Sequence, residues 1–412
     1  MSFLVKKSVF LSILLILAIA FNYMLTLIGA DENLKLLTLS LTPYLFYIVS
    51  RKKYILLLST LMLFKFLLIG SGLLHFDYFY VDGEAFHSAY MIIKNVFIEG
   101  GEVPHNQQHI LNSSIWLAVG FYYYLLGLIM SSSDFNVLLA FNYLFIYFSA
   151  LVWIKINKYS QISIVTSVLL LISPESYIFG MYIGKEVILL FLAMIAIYIA
   201  QNIYLERCNQ KKQYLLLIAV ILVGTLIRPY FITIVIAYLI FLNPKRKRIV
   251  AYLFMSYIFA YALITMHYEL YNLTIHLRNF AANYLGIFLS PNLSRLQNWD
   301  NFFFLTTFQM IGLSFIFLSI ILTFKVKSHI KSGLVAVFFY AIPMALVVNT
   351  YSHHIDSSVY AFYIPRSRFP IIFIIYTVFS ISISHVIQLQ SIRRGNSMFL
   401  TVSNYCNKLT RG

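Results

Sequence analysis

Long apolar runs alternate along this chain with short polar clusters rich in lysine and arginine. The runs are continuously apolar and lack period-two alternation, so they predict helices and not strands. Several approach the roughly 20 residues a helix needs to cross the hydrocarbon core of a bilayer. Lipid offers a backbone no hydrogen-bond partners, so a crossing segment must be a helix or belong to a closed barrel. The pattern predicts an all-α, polytopic transmembrane helical bundle, with residues 1–412 forming one integral membrane domain.

The basic clusters order the threading. They are Lys6–Lys7, Arg51–Lys53, Lys155–Lys158, Arg207–Lys212, Lys245–Arg248, Lys325–Lys331 and Arg393–Arg394. Lys and Arg collect on the cytoplasmic side of membrane proteins. Placing every cluster there demands an even number of crossings between neighbours. Runs at 9–29 and 36–50, 54–74 and 134–154, and 162–178 and 185–204 meet that condition. So do 214–228 and 229–243, 249–267 and 303–324, and 332–350 and 369–388. The result is about twelve spans. Both termini are then cytoplasmic, with a tail over 389–412. Residues 113–130 (SSIWLAVGFYYYLLGLIM) are apolar enough for a further span, which would turn every later basic cluster outward. They are therefore predicted to be re-entrant or to lie in the interface, where Tyr and Trp are enriched. The first run continues to about Gly29, so it reads as an uncleaved span in spite of the cleavage-like Ala18–Ala20.

Composition agrees with this threading. Hydrophobic residues make up 61% of the chain and charged residues 11%, where a soluble domain carries about a quarter charged. The formal charge of +16 sits in the clusters between apolar runs, so it speaks for membrane orientation and against nucleic acid. Cys208 and Cys406 lie beside basic clusters and suggest neither a disulfide nor a metal site. There is no HExxH, Cys/His spacing, GxSxG, Walker loop or dinucleotide fingerprint, so zinc and nucleotide chemistry lack their motifs.

The same threading collects unusual residues in outer loops at about 75–133, 268–302 and 351–368. Asp82 and Glu84 flank Gly83 in an aromatic stretch. A carboxylate there can act as general base on a sugar hydroxyl or ligate a divalent cation, or simply be solvated. Lys185–Glu186 opens a long apolar span, either as a self-paired helix end or as a ligand site. Arg228, Arg366 and Arg368 abut apolar spans on the outer side, and Arg278 and Arg295 lie in the second of these loops. Charge at membrane depth is costly and marks function, and the planar arginine fork suits phosphate and pyrophosphate. Lys65 falls in the middle of a predicted span, as an ion-pair partner or a cavity-lining group.

A sequence of short motifs follows in order. These are the acidic loop VDGEAFHSAY, the aromatic YYYLLG, Phe141–Asn142, the stretch LLLISPESYIFGMYIGKE, Ile227–Tyr230, and Arg366–Pro370. This order resembles membrane glycosyltransferases of the GT-C superfamily and multispanning proteins of bacterial surface-polysaccharide gene clusters. Length, span number, basic charge and the Ile/Phe/Tyr-rich composition resemble the Wzy-type O-antigen and capsule polymerases. The resemblance implies a multi-pass protein of the bacterial inner membrane that takes undecaprenyl-linked oligosaccharide at the periplasmic face, alongside other polysaccharide-assembly proteins. It implies Asp82 or Glu84 as the catalytic acid residue. Lys185, Glu186, Arg228, Arg278, Arg295, Arg366 and Arg368 would hold substrate and lipid pyrophosphate. The resemblance names no certain cofactor, and the acids are able to ligate a divalent cation. The chain lacks the large soluble outer domain of many GT-C enzymes. Only the 268–302 loop matches the arginine-bearing late loops of the polymerases. A GT-C transferase adding one sugar from a polyprenyl-phosphate donor is the alternative within enzymes, and a lipid-linked oligosaccharide flippase the alternative outside them.

Overall fold

The computed structural model describes residues 32–70, 80–97, 100–101, 114–130, 135–180, 184–204, 210–228, 230–242, 332–337, 340–341 and 369–393. Among the described residues the structure is helical, with turns and no strand. The helices are α1 (Glu32–Ser50), α2 (Lys53–Gly70), α3 (Tyr80–Phe97), α4 (Ser114–Met130) and α5 (Phe135–Ile156). They continue with α6 (Gln161–Ile172), α7 (Pro174–Gly180), α8 (Glu186–Tyr204), α9 (Gln210–Ile227) and α10 (Phe231–Leu242). A 3-10 turn at Phe369–Ile371 leads into α11 (Ile372–Arg393). Two of these helices, through Leu139–Ile156 and Glu186–Ile203, are long and apolar enough to cross a membrane. The predicted spans at 9–29, 249–267 and 303–324 lie outside the described residues.

Three expectations change in detail. Residues 80–97, predicted as outer loop, form α3. Residues 114–130 form one uninterrupted helix with no re-entrant turn. The predicted span at 162–178 is broken into α6 and α7 at Ser173. The break is written in the sequence. Pro174 has no N–H and suits the first position of a new helix. Ser173 caps that helix, its hydroxyl accepting the Ser176 backbone N–H at 3.2 Å.

The chain divides into two compact units. The first comprises Met1–Ser160, Ser167–Val235 and Pro365–Pro370, the second Gln161–Thr166, Ile236–Ile364 and Ile371–Gly412. In the second, Thr166 shares hydrogen bonds with Thr377 (3.3 Å) and Ser380 (3.4 Å). Gly333 lets Val378 approach so closely that a Cβ there would sit 2.4 Å from Val378 Cγ2.

The first unit is built around α5. The carbonyl of Pro43 in α1 accepts the Ser59 hydroxyl of α2 at 2.9 Å and the Tyr147 hydroxyl of α5 at 3.3 Å. α3 lies against α4 through Gly120, where a Cβ would fall 2.8 Å from backbone and side-chain carbons of Ala89. Several charged and polar side chains are buried within a mostly apolar core, while large apolar side chains face outward. Lys65, Asn142, Glu175, Lys185 and Glu186 are buried, whereas Leu37, Leu41, Ile48, Phe64 and Leu67 are exposed. On α9, Leu215 is 74% exposed and Leu226 71%.

Candidate functional site

Helix directions within the first unit fix where its polar residues lie. Tyr54 is paired with Tyr159 (6.5 Å between rings) and Phe66 with Tyr143 (6.0 Å), so α2 and α5 are antiparallel. Phe145 meets Phe191 (4.7 Å), and Lys155 Nζ stands 4.5 Å from the Tyr198 ring, so α5 and α8 are parallel. α8 and α9 pack together. The link between them, 205–209, reaches at most about 17 Å, too short to return along a helix of about 28 Å. They are therefore antiparallel. One end of the unit holds Arg51, Lys52, Lys53, Lys155, Lys158, Lys211 and Lys212, all exposed.

Distances from that basic end follow from the rise of about 1.5 Å per residue. Lys65 and Tyr143 stand roughly 18–20 Å away along α2 and α5. Lys185–Glu186 and Arg228, at the far ends of α8 and α9, stand roughly 26–27 Å away.

Two polar constellations occupy this far region. In the first, the Lys65 ammonium donates to the Ser176 hydroxyl. It also sits 4.1 Å from the Tyr177 ring centroid and 5.3 Å from that of Tyr143. Glu175, the neighbour of Ser176, supplies the opposing charge. The Ser176 hydroxyl in turn donates a hydrogen bond to the Ser173 carbonyl at 2.9 Å. The Tyr143 hydroxyl donates to the Tyr177 carbonyl at 2.9 Å. Gly180 makes room for that ring, since a Cβ there would lie 2.4 Å from Tyr143 Cε1. The break at Ser173 thus presents Glu175, Ser176 and Tyr177 in one helical turn to a lysine 111 residues away in sequence.

The second constellation begins at Asn142, beside Tyr143. The buried Tyr123 hydroxyl of α4 lies 3.0 Å from Asn142 Oδ1 and 3.1 Å from the Gly184 carbonyl, donating between them. The Glu186 carboxylate is near enough to act electrostatically on that hydroxyl. Lys185 and Glu186 are both buried at the start of α8, and the Leu189 N–H closes the first turn on the Lys185 carbonyl at 2.9 Å.

Arg228 ends α9, its N–H bonded to the Gly224 carbonyl at 2.9 Å. Its guanidinium carbon is 5.5 Å from the Tyr230 ring centroid. Its Nε is buried and has no hydrogen-bond partner among the described residues. Buried donors are nearly always satisfied, so such a group calls for an acceptor.

The residues predicted from sequence divide accordingly. Lys185, Glu186 and Arg228 come to the same end of the first unit. Asp82 and Glu84 belong to the start of helix α3. Arg278, Arg295, Arg366 and Arg368 lie outside the described residues. Among the described residues no group of three or more His, Cys, Asp or Glu side chains can hold a metal ion. Tyr123, Tyr143, Glu175, Ser176 and Tyr177 join the site without having been singled out as site residues. The Ser173–Pro174–Glu175 break was their one local signal. No protein-family model matches the chain, and no curated protein and no solved structure matches it.

Proposed function

We propose that the chain is a multispanning membrane protein of the bacterial inner membrane. We further propose that it transfers saccharide between undecaprenyl-linked carriers at the periplasmic face, as an O-antigen or surface-polysaccharide repeat-unit polymerase. The membrane reading draws on the exposed leucines and other large apolar side chains of the first unit and on the two helices long and apolar enough to cross. In water the exposed leucines would form an unusually large apolar surface. In lipid they face their natural solvent.

The observation that carries the transferase reading is the buried, unpartnered Nε of Arg228 at the level of Lys185. Opposite the basic rim, at the depth of a headgroup phosphate, an arginine with a spare donor suits a pyrophosphate oxygen. In the proposed reaction Asp82 or Glu84 takes the proton of the acceptor hydroxyl. The hydroxyl oxygen bonds to the donor's anomeric carbon, the glycosyl–phosphate bond breaks, and polyprenyl pyrophosphate leaves. Arg228 and Lys185, with Arg278, Arg295, Arg366 and Arg368, offset the charge that grows on the leaving group.

One observation favours a different class. The break between α6 and α7, with Lys65 and Glu175 buried well inside, is the kind of discontinuous helix on which transporters build their sites. A lipid-linked saccharide flippase is therefore the second reading.

Deleting the gene in the native host separates these readings on a lipopolysaccharide gel. A polymerase leaves single repeat units. A single-sugar transferase leaves a ladder of altered mobility. A flippase leaves no added unit and accumulates carrier-linked repeats inside. Arg228→Gln should reproduce the polymerase deletion, and a normal long-chain ladder in that mutant would remove Arg228 from the site.

A further inference from the structure

The basic end of the first unit is more than a scatter of topological charges. The sequence separates Arg51–Lys53 from Lys155–Lys158 by about a hundred residues, yet the fold joins them in one patch. Lys52 Nζ stands 4.0 Å from the Tyr159 ring centroid and 5.7 Å from that of Tyr54, and the two rings are 6.5 Å apart. The exposed Arg51, Lys52, Lys53 and Lys158 and the half-exposed Tyr159 therefore crowd one rim, while the Lys155 ammonium turns to the Tyr198 ring. No Asp or Glu occurs within 51–60 or 150–160 to neutralise them.

The backbone at this rim is also unusual. Arg51, Lys158 and Tyr159 have φ of 51°, 52° and 61°. Helix ends of this type ordinarily take glycine in that conformation. Here both turns keep a cation or a tyrosine instead, and a freely solvated charge does not need that arrangement. Immediately beyond the patch the surface turns apolar, with Ile48 63% exposed before it and Leu57 48% exposed after it. A ring of cations on an aromatic platform, bordered by lipid-facing leucine and isoleucine, has the polarity profile of a phospholipid: anionic head, then acyl chain.

We infer that this patch binds an anionic phospholipid headgroup at the cytoplasmic face, with Lys52 and Lys158 contacting the phosphodiester and Tyr159 packing under it. The inference rests on the membrane reading above and is independent of the glycosyl-transfer reading. Each basic residue near an anionic leaflet contributes about fivefold in affinity. Removal of two should therefore weaken binding on the order of thirtyfold.

The test uses the full-length chain in detergent, titrated with phosphatidylglycerol and with phosphatidylcholine and read by native mass spectrometry. Wild type should retain phosphatidylglycerol and release phosphatidylcholine. The double variant Lys52→Gln/Lys158→Gln should lose most of that retention. The same two positions changed to Arg should keep it, which shows that any loss is not a failure to fold. Lys211→Gln/Lys212→Gln, at the same end but outside the patch, should change retention less than twofold. Equal retention of both lipids, unchanged binding in the double variant Lys52→Gln/Lys158→Gln, or an equal loss per charge at Lys211 and Lys212 would each overturn the proposal. An alkaline carbonate wash of native membranes reports separately on the premise. A chain that washes off sinks the membrane reading, whereas one that stays yet ignores phosphatidylglycerol sinks only the lipid site.

Discussion

Lys65 offers the most exacting test of the first unit. Its ammonium is buried with only 1% of the residue exposed, and it is held by Ser176, by the Tyr177 and Tyr143 rings and by the charge of Glu175. Lys65→Met preserves length and volume but removes every one of these interactions. It also removes the positive charge that acts on the buried Glu175 carboxylate. Breaking one side of a buried ion pair costs about 3–5 kcal/mol, mostly through the charge left behind. Glu175→Gln strands the lysine instead. The aromatic faces still support the ammonium there, by about 2 kcal/mol in a desolvated site, so this variant should lose less, about 2–3 kcal/mol. The double variant leaves no unpaired charge. Exchange of a whole buried pair for neutral groups is often neutral, so its loss should fall within about 2 kcal/mol of wild type. The sum of the single losses should then exceed the double loss by several kcal/mol. The assay is unfolding of the purified chain in mixed micelles titrated with sodium dodecyl sulfate. A Lys65→Met loss below about 1 kcal/mol would show that the ammonium contributes nothing net. Strictly additive losses would show that Lys65 and Glu175 do not act as a pair.

Three further outcomes follow from the packing. Gly120→Ala places a methyl 2.8 Å from Ala89 atoms and must push α3 off α4; it should destabilise by about 1–3 kcal/mol in the same titration. Tyr123→Phe removes the donor shared by Asn142 and Gly184; it should cost about 1–3 kcal/mol and reduce polysaccharide chain length on gels. Arg51→Gly relieves a left-handed backbone at φ 51°; it should raise stability by about 1 kcal/mol while weakening phosphatidylglycerol retention.

Most of the helices could be read from the sequence because apolar runs end at basic clusters, as α2 does at Lys53 and α5 at Lys155. α3 was hidden because Asp82, Glu84, His87 and Lys94 interrupt its apolar character. Its buried positions Ala89, Ile92 and Ile93 recur at helical spacing, a weaker signal that a search for continuous runs passes over. The site was legible only in part, and for a physical reason. A buried charge announces that it needs a partner, so Lys65 stood out at once. Which partner it takes depends on a tertiary contact across 111 residues. Likewise Tyr123 is one tyrosine among 32 in the chain, and only packing against Asn142 and Gly184 sets it apart.

The pairing of α3 with α4 also frees the topological argument from its weakest premise. On sequence alone, a crossing by residues 113–130 would invert every later basic cluster, so that segment had to be kept out of the membrane. The structure gives α4 a companion of nearly equal length, joined through Ala89 against Gly120 and Tyr90 against Tyr124. Two such helices packed side by side add two crossings or none. The count between Arg51–Lys53 and Lys155–Lys158 stays even in both cases. The separation of Lys185, Glu186 and Arg228 from the basic rim does not depend on that count either. It is measured along α8 and α9, at roughly 26–27 Å, close to the full hydrocarbon thickness. Exposed cations at one end of the unit and an arginine with a buried Nε at the other therefore follow from helix lengths and directions within a single unit. The proposed anion site stands or falls on Arg228 and Lys185, not on how many times the rest of the chain crosses.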